Sequence, residues 1–149
     1  MSHKLSYSVI FGDTDAGGIV YHPRYLEMAE RGRNEAGRSV GLDVGELFSQ
    51  RQTGLALRRA DMVFHTPALF DDRLTIHTHV EKLGAARALW MSRIQRGARS
   101  ICTVRAEIIC MNRVKHAPQM FPEDVRNAMQ QLTLSARQKL PVASKEVYS

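Results

Sequence analysis

The sequence predicts an α+β domain in two layers, one long helix laid on an antiparallel sheet of about five strands. Three observations predict it. An alternating run at the start gives way to a turn-rich loop and then to one long helical pattern. Later alternating runs follow one another with short turns between them, as in an antiparallel meander. The 149 residues, 44% of them hydrophobic, suit one compact domain over 1–149, too apolar for disorder and too short for two ordinary domains.

The elements follow in order. Residues 4–11 alternate, with Leu5, Tyr7, Val9 and Phe11 on one side and Ser6 and Ser8 on the other. Gly12 breaks the run, and 12-GDTDAGGIVYHP-23 is turn chemistry. A helix is expected from Pro23 to about Val40, because proline is well suited to a first helical position. Tyr25, Met28, Ala29, Gly32 and Ala36 form one face at helical spacing. That face is small, so the helix is expected to lie close to the layer it packs on. Glu27–Arg31 and Arg31–Glu35 are spaced for i,i+4 support, whereas Gly32 and Gly37 each cost about 1 kcal/mol against alanine. Gly41 is a stop signal, and residues 43–51 add a short helical turn.

The remainder reads mainly as strands. Residues 55–64 are a mixed apolar run. Residues 73–82 set Leu74, Ile76, Thr78 and Val80 against Thr75, His77, His79 and Glu81. Residues 86–96 set Ala88, Trp90, Ser92 and Ile94 against the opposite face, and 96–100 reads as a hairpin loop. Residues 101–111 put Cys102, Val104, Ala106, Ile108 and Cys110 on one face. A last helix is expected over 122–132, with acids near its start, before a polar tail from about 134. One face of such a sheet remains to be covered, and a second subunit is the obvious cover.

Composition narrows the classes. No apolar stretch approaches the roughly 20 residues of a membrane span, and the start lacks the apolar region of a signal peptide, so a soluble cytoplasmic protein without an integral membrane segment is expected. Cys102 and Cys110 share one apolar run without CxxC spacing and read as small core residues in a reduced compartment. The net charge of +6 suits a polyanionic partner, either nucleic acid or a phosphate-bearing small molecule. Basic clusters interleaved with aromatics and the usual nucleic-acid-binding signatures are missing, so no nucleic-acid partner is expected.

Chemistry concentrates in the loop before the long helix. Asp13 and Asp15 stand at i and i+2, Gly17 and Gly18 follow, and Tyr21 and His22 directly precede the helix N-terminus. Free backbone N–H groups there bind anions and polarise carbonyls, and glycines admit a ligand to the main chain. A carboxylate beside such donors suits a nucleophile or general base. On residue types alone the plainer alternative, ordinary turn residues holding the loop or capping the helix, weighs more. A D-x-D divalent-cation site lacks evident further oxygen ligands, so no metal is expected.

The segment FGDTDAGGIVYHPRYLEMAERGRNE resembles the signature of the 4-hydroxybenzoyl-CoA thioesterase family of hotdog proteins, including its YbgC-type branch. Asp13, Asp15, Gly18, Val20, His22, Pro23 and Tyr25 match the pattern D-x-D-x-x-G-x-V-x-[YH]-P-x-Y, and FHTPALFDDRLTIHTHV resembles the family's later strand pair. The resemblance covers nearly the whole chain and implies a single hotdog domain. It implies hydrolysis of a small acyl-CoA, aromatic of the hydroxybenzoyl type or short and aliphatic, to free acid and coenzyme A. Asp15 would attack the thioester carbonyl or activate water. The main-chain N–H of His22 would polarise the carbonyl oxygen while its side chain assists. Asp13 would hold the loop as a main-chain acceptor. Gly17, Gly18, Tyr21 and Tyr25 would meet the substrate. Arg58, Arg59, Arg87 and Arg113 are the candidates for the coenzyme A phosphates, since arginine suits phosphate; family members often carry a small polar residue near the place of Arg87. No cofactor is implied, coenzyme A being part of the substrate. The assembly implied is a homodimer or a homotetramer built as a dimer of dimers. The competing reading is a non-catalytic hotdog module that binds acyl groups or proteins.

Other residues carry plainer expectations. His77 and His79 have the i,i+2 spacing of a metal pair but read as a solvated face, His65 and His116 have no role, and Trp90 and Met91 read as packing.

Overall fold

The computed structural model describes residues 1–134. Strand β1 (His3–Ser8) leads through a 3-10 turn (Phe11–Asp13) into helix α1 (Pro23–Ser39), followed by α2 (Val44–Gln50). Strands β2 (Thr53–Phe64), β3 (Arg73–Leu83), β4 (Arg87–Arg96) and β5 (Arg99–Asn112) come next, then a two-residue β6 (Ala117–Pro118) and α3 (Glu123–Gln131). The antiparallel sheet runs in the order β1-β3-β4-β5-β2, with β6 added to β5.

This order explains where α1 lies. The strands that flank it in sequence stand at opposite edges, so the connection between them crosses the sheet. Seventeen helical residues span about 25 Å, against roughly 19 Å for four strand spacings. Accordingly, α1 touches β1, β3, β4 and β5. The predicted face, Tyr25, Met28, Ala29, Gly32 and Ala36, is the buried one. A Cβ on Gly32 would stand 2.6 Å from Thr78 Oγ1, so the helix does sit very close on β3. Gly41, at φ +84°, ends the helix in the left-handed region that glycine favours.

The core lies between α1 and the sheet in two parts. One gathers Met28, Ala29, Leu74, Ile76, Ile94 and Val104. The other joins Leu47, Trp90, Ile108, Phe121, Val125 and Met129, so α2 and α3 close the far end. Both cysteines are buried and free, and burial pushes the Cys102 thiol up to about 12.

Several expectations are corrected. The first strand stops at Ser8 because the main chain turns at Ile10 to bond Asp13, which leaves Phe11 exposed rather than in the core. On α1, Glu27 pairs with Arg24 and Glu35 with Arg38, each three residues apart, in place of the predicted pairs through Arg31. The β4–β5 hairpin needs only Gly97 and Ala98, with Gly97 at φ +59°. The mixed pattern of β2 comes from a bulge at Arg58. His79 is buried rather than solvated, and that burial, then Arg93, lowers its pKa. The sequence did not reveal β6. Past residue 134, the polar tail lies outside the described residues.

Candidate active site

The loop between β1 and α1 is tied down at its start by Asp13. This side chain is buried, and its carboxylate accepts the Tyr7 hydroxyl at 3.0 and 3.1 Å and the Ile10 N–H at 3.0 Å. Its carbonyl accepts the Tyr21 N–H at 2.8 Å, so one residue clasps both ends of the loop. Burial and then the hydrogen bond to Asp13 raise the Tyr7 pKa, which keeps that hydroxyl a donor.

Asp15 is placed differently. Its main chain closes a tight turn, accepting Gly18 N–H and donating to Ile19 O, both at 3.0 Å. Its side chain is exposed, and one oxygen accepts the Gly17 N–H at 2.8 Å. The other has no hydrogen-bond partner among the described residues. Gly18, at φ +81°, supplies the left-handed residue this turn requires. A Cβ on Gly17 would meet the Asp15 carboxylate at 3.1 Å. The two aspartates of the motif therefore differ physically, one buried and bonded, the other open.

The loop leans on residues 66–72. Val20 N–H bonds Ala68 O at 2.9 Å, and Ile19 bridges to Leu69. Tyr25 locks this contact, its hydroxyl accepting the Ala68 N–H at 3.1 Å. Only 4% of Tyr25 is exposed, and its hydroxyl holds two loops together. Tyr21 and His22 are exposed, their rings 5.0 Å apart, and Phe64 stands 6.2 Å from the His22 ring.

His22 is the N-cap of α1. Arg24 N–H bonds Tyr21 O and Tyr25 N–H bonds His22 O, while Pro23 has no N–H. The His22 N–H has no acceptor among the described residues, so it is the donor left open at this helix start.

The basic residues divide. Arg58 and Arg87 both bond Glu107, and Arg59 faces Asp61 at 3.6 Å. Arg59, Arg87, Lys82 and Arg105 border an open groove of about 500 Å³. Arg113 lies apart from it, bonded to Phe48 O and placed 4.6 Å over the Phe48 ring. A second cavity, about 370 Å³, runs along α1 from Pro23 and Leu26 to Arg33 and meets Leu55, Leu57 and Trp90. Trp90 is thus both packing and cavity wall.

Sequence reasoning missed Tyr7, Phe64, Ala68 and Arg33 around this region. Arg33 had a signal: Leu26, Glu30, Arg33 and Gly37 form the helical stripe beside the buried face. Tyr7 lies on the strand just before the loop, while Phe64 and Ala68 enter from a strand end and a loop distant in sequence. Among the described residues no group of three or more acids, histidines or cysteines is placed to hold a metal. No helix there is long and apolar enough to cross a membrane.

Known proteins share this fold. The model of the Thioesterase-like superfamily matches residues 9–129. Acyl-CoA thioesterase YbgC of Haemophilus influenzae is 31% identical over 124 residues, covering 83% of this chain and 91% of that protein. The crystal structure of a probable thioesterase from Bartonella henselae superposes with a TM-score of 0.78 at 34% identity, covering 82% of this chain and all of that one (100%). A gentisyl-coenzyme A thioesterase structure gives a TM-score of 0.79 at 26% identity, covering 85% of this chain and 99% of that one. A helix across a curled antiparallel sheet and a match over most of the chain converge: this protein belongs to the thioesterase-like hotdog superfamily and is a thioester hydrolase.

Proposed function

We propose that the chain hydrolyses a small aromatic acyl-CoA to the free acid and coenzyme A, with Asp15 as nucleophile or general base. The observation that carries this is the contrast within the motif: Asp13 is buried and fully engaged, whereas Asp15 is exposed with one oxygen unpaired among the described residues. The name of the Haemophilus relative supports an acyl-CoA substrate, and that of the gentisyl-coenzyme A thioesterase supports an aromatic acyl group.

The chemistry needs little more. By the general-base route Asp15 takes a proton from water, whose oxygen attacks the thioester carbon. The oxyanion accepts the open His22 N–H, where the dipole of α1 adds to the attraction. Collapse breaks the C–S bond, and the proton passes to the thiolate. By the nucleophilic route the carboxylate attacks first, the C–S bond breaks to release coenzyme A as its thiolate, and water then hydrolyses the resulting anhydride while a proton passes to the thiolate. Single turnover in ¹⁸O-water separates the two, since only the second route can leave label in Asp15. Gly17 and Gly18 bring the main chain to the substrate, and Tyr21 flanks it. The groove of Arg59 and Arg87, whose Glu107 also bonds Arg58, takes the phosphates of coenzyme A. Arg113 is left out of that role by its contacts with Phe48.

The working assembly is a homodimer or a dimer of dimers. Edge strand β2 pairs on one side only among the described residues, and Leu57 and Phe64 on it are exposed. Light scattering that gives a monomer mass would remove this part. Two free, buried cysteines support a cytoplasmic location, which fractionation to another compartment would overturn.

The deciding experiment is Asp15→Asn assayed against a panel of benzoyl, phenylacetyl, short-chain and long-chain CoA esters. Turnover is expected to fall by at least about a thousandfold, with folding and ligand binding kept. Unchanged rates would sink the assignment. No turnover of any ester by the unaltered chain, with binding retained, would favour the non-catalytic module.

A further inference from the structure

We infer that the ion pair between Arg96 and Asp72 positions Asp15: it fixes the 66–72 loop on which the turn of Asp15 is built, and so contributes to turnover without touching the substrate. The inference rests on the reading of Asp15 given above and adds two positioning residues to it.

The turn of Asp15 lies outside the helices and strands, so its shape depends on what it leans on. Asp13 clasps the loop from the β1 side. The stretch from Asp15 to Val20 rests on Ala68 and Leu69. Asp15 N–H donates to Ile19 O at 3.0 Å, Ile19 bridges to Leu69, and Val20 N–H donates to Ala68 O at 2.9 Å. Residues 68 and 69 thus form a short template for the turn. A template holds a carboxylate in place only if it is itself held.

Two side chains hold it, one at each amide. The Tyr25 hydroxyl accepts the Ala68 N–H at 3.1 Å. Asp72 Oδ2 accepts the Leu69 N–H at 2.8 Å, and Arg96 Nη1 donates to that same oxygen at 2.5 Å. With both amides taken, the Ala68 carbonyl and the edge of Leu69 are left for the turn. Beside Asp72, Asp71 has φ +67°, a left-handed conformation that a residue with a Cβ keeps only where its surroundings impose it. Removing Arg96 takes away one of those restraints.

The anchor suits this task. Arg96 ends β4, which is flanked by β3 and β5 within the sheet. Across the same hairpin Arg99 Nε reaches Thr66 Oγ1 at 3.4 Å, so one hairpin meets the loop twice. The Arg96 and Asp72 side chains are 33% and 19% exposed, and every other ion pair among the described residues has a side chain more open than either. A pair shielded from water keeps more of its attraction than an exposed one. Neither residue lines either cavity described above, so their effect runs through Leu69 and Ile19 to Asp15.

The test measures kcat and KM of the full chain on whichever ester of the panel above turns over fastest, together with amide hydrogen exchange. Arg96→Met should lower kcat about 10- to 100-fold and keep KM within about threefold, because a small displacement of the reacting group costs rate more than binding. Arg96→Lys should recover part of the loss. Asp72→Asn should fall between, since its amide oxygen can still accept the Leu69 N–H. Added to Asp15→Asn, Arg96→Met should cost no more than about threefold, the group it positions being already gone. In Arg96→Met the Asp15 and Val20 amides should exchange about tenfold faster, while those of Met28 and Ala29 in α1 hold their rates. An unchanged kcat, a loss confined to KM, or a full loss repeated on top of Asp15→Asn overturns the inference. Equal quickening of exchange across α1 also overturns it, because the variant is then loosened as a whole. If Arg96→Met fails to fold, Arg96→Lys and Asp72→Asn carry the same comparisons. If the unaltered chain hydrolyses no ester, or Asp15→Asn keeps its full rate, the reading of Asp15 fails separately. Exchange then decides whether the pair fixes this turn: selective quickening at Asp15 and Val20 upholds it, and unchanged rates there overturn it.

Discussion

Two glycines in the same helix are expected to respond to alanine with opposite signs. At Gly32 an added Cβ would stand 2.6 Å from Thr78 Oγ1 and 2.9 Å from Ile76 Cγ2. Both neighbours are fully buried on β3 at 0% exposure, and both are β-branched, so neither side chain can swing away cheaply. Forcing a methyl group into such a contact costs about 1–3 kcal/mol, against about 1 kcal/mol gained from helix propensity. Gly32→Ala should therefore destabilise by about 1 kcal/mol net, up to about 2. At Gly37 the nearest atoms, both of Leu42, are at 3.4 Å, an ordinary contact. Gly37→Ala should gain about 0.5–1 kcal/mol. For a chain of this size the two melting temperatures should separate by roughly 3–12 °C, at about 2–4 °C per kcal/mol. Thermal unfolding followed by circular dichroism, at fixed protomer concentration, reads this directly. Thr78→Ala should shrink the Gly32→Ala penalty, since the two residues touch. If Gly32→Ala proves as stabilising as Gly37→Ala, α1 does not lie this close on β3 and the reasoning fails.

Two further outcomes follow from the loop and the core. Asp13→Ala leaves the Tyr7 hydroxyl and the Ile10 N–H without their acceptor, so urea titration should show a loss of about 3 kcal/mol. Asp15→Ala should stay within about 0.5 kcal/mol of the parent, and similar losses in both would refute the division of roles. The Cys102 thiol, pushed up to about 12 by burial, should resist thiol reagents at pH 8 in the folded protein and react once denatured. The sign is that of a raised acid: the folded state favours the neutral thiol, so this contribution to stability weakens as pH rises past the unfolded thiol's pKa. Rapid native labelling of Cys102 would show the strand to be open.

Much of this architecture could be read from the chain because it is written in periodicity. Five of the six buried positions of α1 could be read from helical spacing, and the buried faces of β3, β4 and β5 alternate as strands must. The motif around Asp15 could be read because tight turns and helix starts demand particular residues. Where local chemistry met a competing partner, the sequence misled. Phe11 continues the alternation of β1, yet the bond from Ile10 to Asp13 bends the chain before it can pair. His79 keeps strand alternation, yet its burial depends on what covers that face.

The sequence by itself determined the elements, their order and the loop that carries the chemistry, because each depends on neighbours within a few residues. Only the tertiary structure decided the sheet order that drives α1 across the strands, the close approach of Gly32 to Thr78, and the bond by which Tyr25 anchors the loop at Ala68. It also decided the surroundings of Arg33, an ordinary helix residue in sequence. Its Nη1 ends up buried without a hydrogen-bond partner among the described residues, beside a cavity that β2, β4 and β5 also line. Such effects belong to through-space contacts, and desolvation is set by everything that surrounds a group, not by the residues beside it in the chain.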